Sequence, residues 1–297
     1  MNLYFGNRYC EHCGKAYDRK ISVCPYCKEG NPDRRTHAFD QQIHLPWYKE
    51  LVFFLLGIVG LALIVNLIAI VEMPLYAAAH PELSGTELSA SFSAYMDSGQ
   101  GLFSLYSWAY PILFLIVCLL FWKSWKQIAK SFASWKALLM GVAIFVAIFA
   151  FEMAYNQIAS LILNSAGVTP SVNENQSNLN SMIVLYPVSS LIIFGILGPF
   201  VEEAAYRVGL FGLSTRLGKV AAYILTIIVF SLIHFNFGCF GSTESMIIEF
   251  VNLPVYMFSG FAFSFAYDKF GLGCSYTAHM INNVFSVLIN YIQLANK

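Results

Sequence analysis

Apolar and polar residues segregate along this chain into long blocks rather than alternating. Uninterrupted apolar stretches cover roughly 51–71, 102–122, 137–158, 182–200, 220–237, 246–266 and 274–293. Each is near the ~20 residues that a helix needs to cross a bilayer. The pattern predicts about seven transmembrane helices, the fifth of them short. Before this region lies a polar segment, 1–50, whose second part, 36–50, reads as a linker. The expected fold is an all-α polytopic membrane protein carrying a small N-terminal head.

Composition supports that division. Hydrophobic residues make up 58% of the 297 residues and charged residues 11%, against about 25% charged in soluble proteins. The formal net charge is zero, yet eight of the 17 Lys and Arg residues precede Leu51. The first long apolar run starts only near Leu51 and has no small-residue cleavage signature. It is therefore expected to stay as an anchor rather than be removed as a signal.

Orientation follows from the basic residues. Lys123, Lys126, Lys130 and Lys136 fall between the second and third stretches, Arg207, Arg216 and Lys219 between the fourth and fifth, and Lys269 between the sixth and seventh. The alternate connections 72–101, 159–181 and 238–245 contain no Lys or Arg. This asymmetry predicts a cell-membrane protein with a cytoplasmic N-terminus.

The head carries Cys10-Glu11-His12-Cys13 and Cys24-Pro25-Tyr26-Cys27. Two C-x2-C pairs let four thiolates close a tetrahedral structural zinc site. A segment of some 30 residues has too little core to fold without such an ion. The expectation is a zinc ribbon over 1–35, ligated by Cys10, Cys13, Cys24 and Cys27. A pair of disulfides is the competing reading, disfavoured in a reducing cytoplasm. A protein partner docking on the ribbon is expected, and no nucleic-acid patch is present.

The costliest residues lie later. Glu202 and Glu203 follow directly on the fourth apolar stretch, with Arg207 four residues beyond. On a helix at about 100° per residue, Glu203 and Arg207 lie roughly 40° apart, whereas Glu202 points about 140° from Arg207. One carboxylate is placed for neutralisation and the other stays available. The plainer reading is a helix end whose charges snorkel into the headgroups. His234, in Phe230-Ser231-Leu232-Ile233-His234, and His279 with Asn283, at i,i+4, add polar groups to two further stretches. Polar groups in membrane helices converge on interiors or cavities. Such a set could deprotonate water with a carboxylate, aided by a histidine or a metal, and stabilise an oxyanion with imidazole and amide donors. Neither G-x-S-x-G nor H-E-x-x-H occurs. Cys118, Cys239 and Cys274 have no nearby histidine in sequence and read as packing residues.

Glu202-Glu203-x3-Arg207, Phe230-x3-His234 and His279-x3-Asn283, in that order, resemble the three motifs of the CAAX-protease and bacteriocin-processing intramembrane endopeptidases. The Phe258-x-Gly260 and Ser275 positions agree with the third motif region. Val208 stands where glycine is common in the family, with Gly209 one later. The resemblance spans roughly 180–290 and implies a domain organisation of head 1–35, linker 36–50, N-terminal helices 51–178 and protease core 179–295. It implies hydrolysis of a peptide or membrane-protein substrate in the lipid bilayer without a covalent intermediate. Glu202 and His234 would activate water, and His279 and Asn283 would stabilise the transition state. Glu203 belongs to the catalytic set and Arg207 to its ion pair. A catalytic divalent metal stays open. The alternative is a non-enzymatic bacteriocin-immunity or scaffold protein whose polar groups form a dry structural core.

Overall fold

In the computed structural model, residues 7–9, 16–18, 24–28, 43 and 45–296 are described. In the head, strand β1 (Asn7–Tyr9) pairs antiparallel with β2 (Ala16–Asp18), with Arg8 opposite Tyr17. Of the expected zinc ligands, Cys10 and Cys13 lie outside the described residues. Cys24 is buried, and its carbonyl accepts the Lys28 N–H at 2.9 Å. Lys28 adopts φ 62°, so this C-x2-C segment closes into a tight turn.

The remainder is helical. The helices are α1 (Trp47–Ala79), α2 (Gly85–Met96), α3 (Gly99–Leu120), α4 (Trp125–Ala133), α5 (Trp135–Ser165) and α6 (Glu174–Leu185). They continue with α7 (Pro187–Leu217), α8 (Lys219–Leu232), α9 (Thr243–Phe270) and α10 (Leu272–Ala295). Five of them, α1, α3, α5, α7 and α9, are long and apolar enough to cross a membrane. Of the seven apolar stretches expected to cross, two fall short of this length or apolarity. The fifth apolar stretch forms the 14-residue α8, too short at 1.5 Å per residue to span a ~30 Å hydrocarbon core. Helix α10 has 24 residues, but its Ser, Thr, His and Asn content keeps it below the apolarity of the other five.

The fourth stretch is also redrawn. Pro187 occupies the first turn of α7, and Tyr186 before it leaves the helical region at φ −136° and ψ 60°, since a following proline disfavours the α conformation. Met182–Leu185 therefore end α6. Helix α7 then runs past the glutamates to Leu217, a total of 31 residues. The segment expected to end near the glutamates instead carries them at its middle.

Three π-helical segments interrupt the long helices: Leu56–Gly60 in α1 and Ile193–Leu197 and Ala204–Phe211 in α7. Helix α1 packs against the last of these through small residues. A Cβ on Gly57 would sit 2.4 Å from Ala205 Cβ, and one on Gly209 would sit 2.6 Å from the Phe54 nitrogen. No side chain fits at either place, so the two backbones approach as small-residue membrane interfaces allow. Gly209 is thereby explained by packing. The charged ends of these helices are tied together: Glu50 accepts from Arg216, and Lys219 Nζ lies 2.6 Å from Asp268 Oδ2. Ile43, in the expected polar linker, is buried and brackets the Tyr267 hydroxyl with its N–H and carbonyl, each at 3.3 Å.

Candidate active site

Glu202 and Glu203 occupy the end of the α-helical turn Gly198–Glu203, directly before the π-helical Ala204–Phe211. Adjacent residues on a helix face different directions, and their surroundings differ accordingly. The Glu203 side chain is 0% exposed, whereas that of Glu202 is 18% exposed. Arg207 Nε lies 3.5 Å from Glu203 Oε2, with both side chains fully buried. The guanidinium carbon sits 4.6 Å from the Phe230 ring centre and 5.3 Å from that of Phe263. None of its nitrogens has a hydrogen-bond partner among the described residues. Its charge is balanced by one carboxylate and two aromatic faces.

His279 connects the two carboxylates. Its Nδ1 donates to Glu203 Oε1 at 2.9 Å, and its Nε2 lies 3.7 Å from Glu202 Oε2. The ring stacks on Phe263 with centroids 4.3 Å apart. A carboxylate at Nδ1 fixes the tautomer and turns Nε2 towards Glu202. The Glu202 Oε1 atom also accepts from the Tyr110 hydroxyl at 3.4 Å. The Ser275 hydroxyl adjoins the Glu203 carboxyl.

His234 reaches the same region from the end of α8. Its ring lies 4.9 Å from that of Phe230, tilted by 48°, and Phe230 also lies 6.0 Å from the His279 ring. Glu202, His279 and Arg207 are all within electrostatic range of His234. Its Nδ1 is 2.8 Å from the Phe230 carbonyl, which leaves Nε2 as the ring's working nitrogen. On its other side Tyr256 stacks at 4.5 Å and 19°. The Tyr256 hydroxyl donates to Asn173 Oδ1 at 3.1 Å, and Asn173 Nδ2 donates to the His234 carbonyl at 3.0 Å. Glu249 completes this frame, accepting the Glu174 and Asn236 backbone N–H groups at 2.9 and 3.1 Å.

Asn283, four residues after His279 on α10, also serves the backbone of α7. Its Nδ2 donates to the Phe194 carbonyl at 3.1 Å. In the π-helical segment Ile193–Leu197, the Gly198 N–H turns to the Ile193 carbonyl. The next donor, at the fifth residue from Phe194, would be Pro199, which has no N–H. Asn283 supplies the missing donor and keeps its second amide hydrogen.

Tyr110, Phe263, Tyr256, Asn173 and Glu249 gave no sequence signal, because each is one polar or aromatic residue among many on its element. Among the described residues no three His, Cys, Asp or Glu side chains cluster as a metal site. His234 Nδ1 is engaged by the Phe230 carbonyl and His279 Nδ1 by Glu203, which leaves the Nε2 atom of each ring available.

Residues 184–285 match the family model described as type II CAAX prenyl endopeptidase Rce1-like. This segment is similar to the CAAX prenyl endopeptidases. The match includes Glu202, Glu203, Arg207, His234, His279 and Asn283, and it supports a membrane-embedded protease of that type. Together with the apolar helices it indicates a multi-pass membrane protein. No curated protein and no solved structure matches the chain.

Proposed function

We propose that this chain is an intramembrane endopeptidase that hydrolyses a peptide bond with a water activated by Glu202. The observation that carries the reading is the asymmetry of the glutamate pair. Glu203 is locked to Arg207 and His279 out of contact with solvent, while Glu202 is partly exposed beside His279 Nε2 and within range of His234. A structural core has no use for a partly exposed carboxylate at the middle of a membrane helix, where charge is costly.

In this reading Glu202 takes a proton from water as the oxygen attacks the scissile carbonyl, and later delivers it to the departing amine. His234 shares the activation of that water. His279, held by Glu203, and the free amide hydrogen of Asn283 stabilise the developing oxyanion. Glu203 is a positioning residue, since it acts through His279 and is sealed from substrate. No step in this reading runs through a metal. The head is read as a structural zinc ribbon facing the cytoplasm, available to a protein partner.

The test compares new N- and C-terminal peptides of membrane proteins from cells making the wild type or Glu202→Gln at equal levels. Termini present with the wild type and absent with the variant support the proposal. Identical termini in both would remove it.

A further inference from the structure

A second site lies away from the glutamate pair, between α1, α2 and α3. A cavity of about 520 Å³ is lined there by Glu72, Ser104, Tyr76, Tyr95 and Trp108, with aliphatic side chains of α1 completing the wall. Glu72 Oε1 accepts from the Ser104 hydroxyl. Its Oε2 is buried and has no hydrogen-bond partner among the described residues. The Tyr95 hydroxyl neighbours both Ser104 and Glu72.

A carboxylate within a membrane helix calls for a partner. The sequence supplies no permanent cation nearby: from Leu51 to Trp122 there is neither lysine nor arginine. His80 lies against the Tyr76 ring with centroids 4.4 Å apart and pairs with Glu82 at 3.2 Å. The aromatic rings point to the class of cation this carboxylate would pair with. Tyr76 and Tyr95 stack with centroids 5.1 Å apart, and Trp108, 63% exposed, adds an indole face. Aromatic rings around one carboxylate are the chemistry that selects an organic ammonium, which presents charge with a partly apolar surface. Depth agrees with this. Glu72 is seven residues before Ala79, the end of α1, or roughly 10 Å of helical rise, which is within reach of a lipid headgroup.

We propose that Glu72, Tyr76, Tyr95 and Trp108 form a binding site for an organic ammonium group, whether a lipid headgroup or a free amine. This site is independent of the peptidase reading and shares no residue with it.

The test uses the full chain in nanodiscs of pure phosphatidylglycerol, which has no ammonium headgroup. Tetramethylammonium chloride is titrated against sodium chloride at equal ionic strength while thermal unfolding is followed, since a ligand of the native state raises the midpoint. The wild type is expected to show a saturable rise specific to tetramethylammonium. In Glu72→Gln the apparent affinity should fall at least about tenfold, and Trp108→Leu should weaken it by a similar factor as loss of a cation–π face. A parallel series in discs containing phosphatidylcholine separates the sources. Loss of the tetramethylammonium response there identifies a lipid headgroup as occupant, and its persistence identifies a free amine. No saturable response in phosphatidylglycerol, or an equal response in wild type and both variants, overturns the proposal.

Discussion

His279 Nδ1 donates to Glu203 Oε1 at 2.9 Å, with both side chains essentially sealed from solvent. The same carboxylate faces Arg207 at 3.5 Å. One glutamate therefore holds a histidine and an arginine inside a dry aromatic shell, while its sequence neighbour Glu202 remains partly exposed. Adjacent residues with identical chemistry should respond differently to the same substitution.

Glu203→Gln leaves Arg207 buried without its counter-charge and weakens the bond to His279. Removing one partner of a buried pair costs about 3–5 kcal/mol, so this variant should show a clearly lowered unfolding midpoint or poor assembly. Glu202→Gln should unfold within about 1 kcal/mol of the wild type, because its carboxylate is only loosely held. Its peptidase activity should fall by about 100-fold or more, the usual contribution of a general base. Thermal unfolding in detergent checks the stability half. Equal destabilisation by the two substitutions would contradict the division.

Much of this site was legible in the sequence, and the reason is local geometry. Helical spacing alone put Glu203 beside Arg207 and turned Glu202 away, and the structure has Glu203 and Arg207 3.5 Å apart. Depth was not legible. Hydropathy ended the fourth stretch near the glutamates because charge lowers the average there, yet α7 continues to Leu217 by burying those charges against one another. That longer helix also accounts for His234. Placed near the far end of its own apolar stretch, it meets a glutamate pair at the middle of α7 rather than at one end. The frame around His234 depends on Asn173 and Tyr256, 61 residues before it and 22 after it in sequence, and no periodicity reports contacts at such separations.

The head should bind one zinc per chain. Metal analysis of the purified, reduced full-length protein is expected to give stoichiometric zinc, with most of it lost on Cys10→Ser or Cys24→Ser, because a closed four-thiolate site tolerates no missing ligand. Full occupancy in either variant would exclude the ribbon. The membrane helices should keep their unfolding midpoint in both variants, since their core is formed from other residues.

The frame outside His234 predicts a graded response. Tyr256→Phe keeps the ring that stacks on His234 at 4.5 Å but loses the bond to Asn173, so it should cost about 1 kcal/mol. Tyr256→Ala removes the stack as well and should lower turnover more than substrate affinity, because it frees the histidine rather than a binding surface. Hydrogen exchange should quicken across 234–241 in Tyr256→Ala and in Asn173→Ala, whose amide holds the His234 carbonyl. Unchanged exchange there in both variants would show that His234 is fixed by other contacts.

Asn283 offers the sharpest separation of structure from chemistry. Its amide serves the Phe194 carbonyl, which the π-helical register and Pro199 leave without a backbone donor. Asn283→Ala strands that carbonyl inside the bundle and should cost about 1–3 kcal/mol. Pro199→Ala restores an N–H at the fifth residue from Phe194, so the same carbonyl gains a backbone donor. In the Pro199→Ala background, Asn283→Ala should therefore cost at least about 1 kcal/mol less than in the wild type, a coupling typical of residues sharing one partner. Activity should not follow stability. If the second amide hydrogen of Asn283 serves the oxyanion, the double variant regains its fold and remains slow, since losing one such donor costs about 100–1000-fold. Recovery of both together would reduce Asn283 to a helix-capping residue.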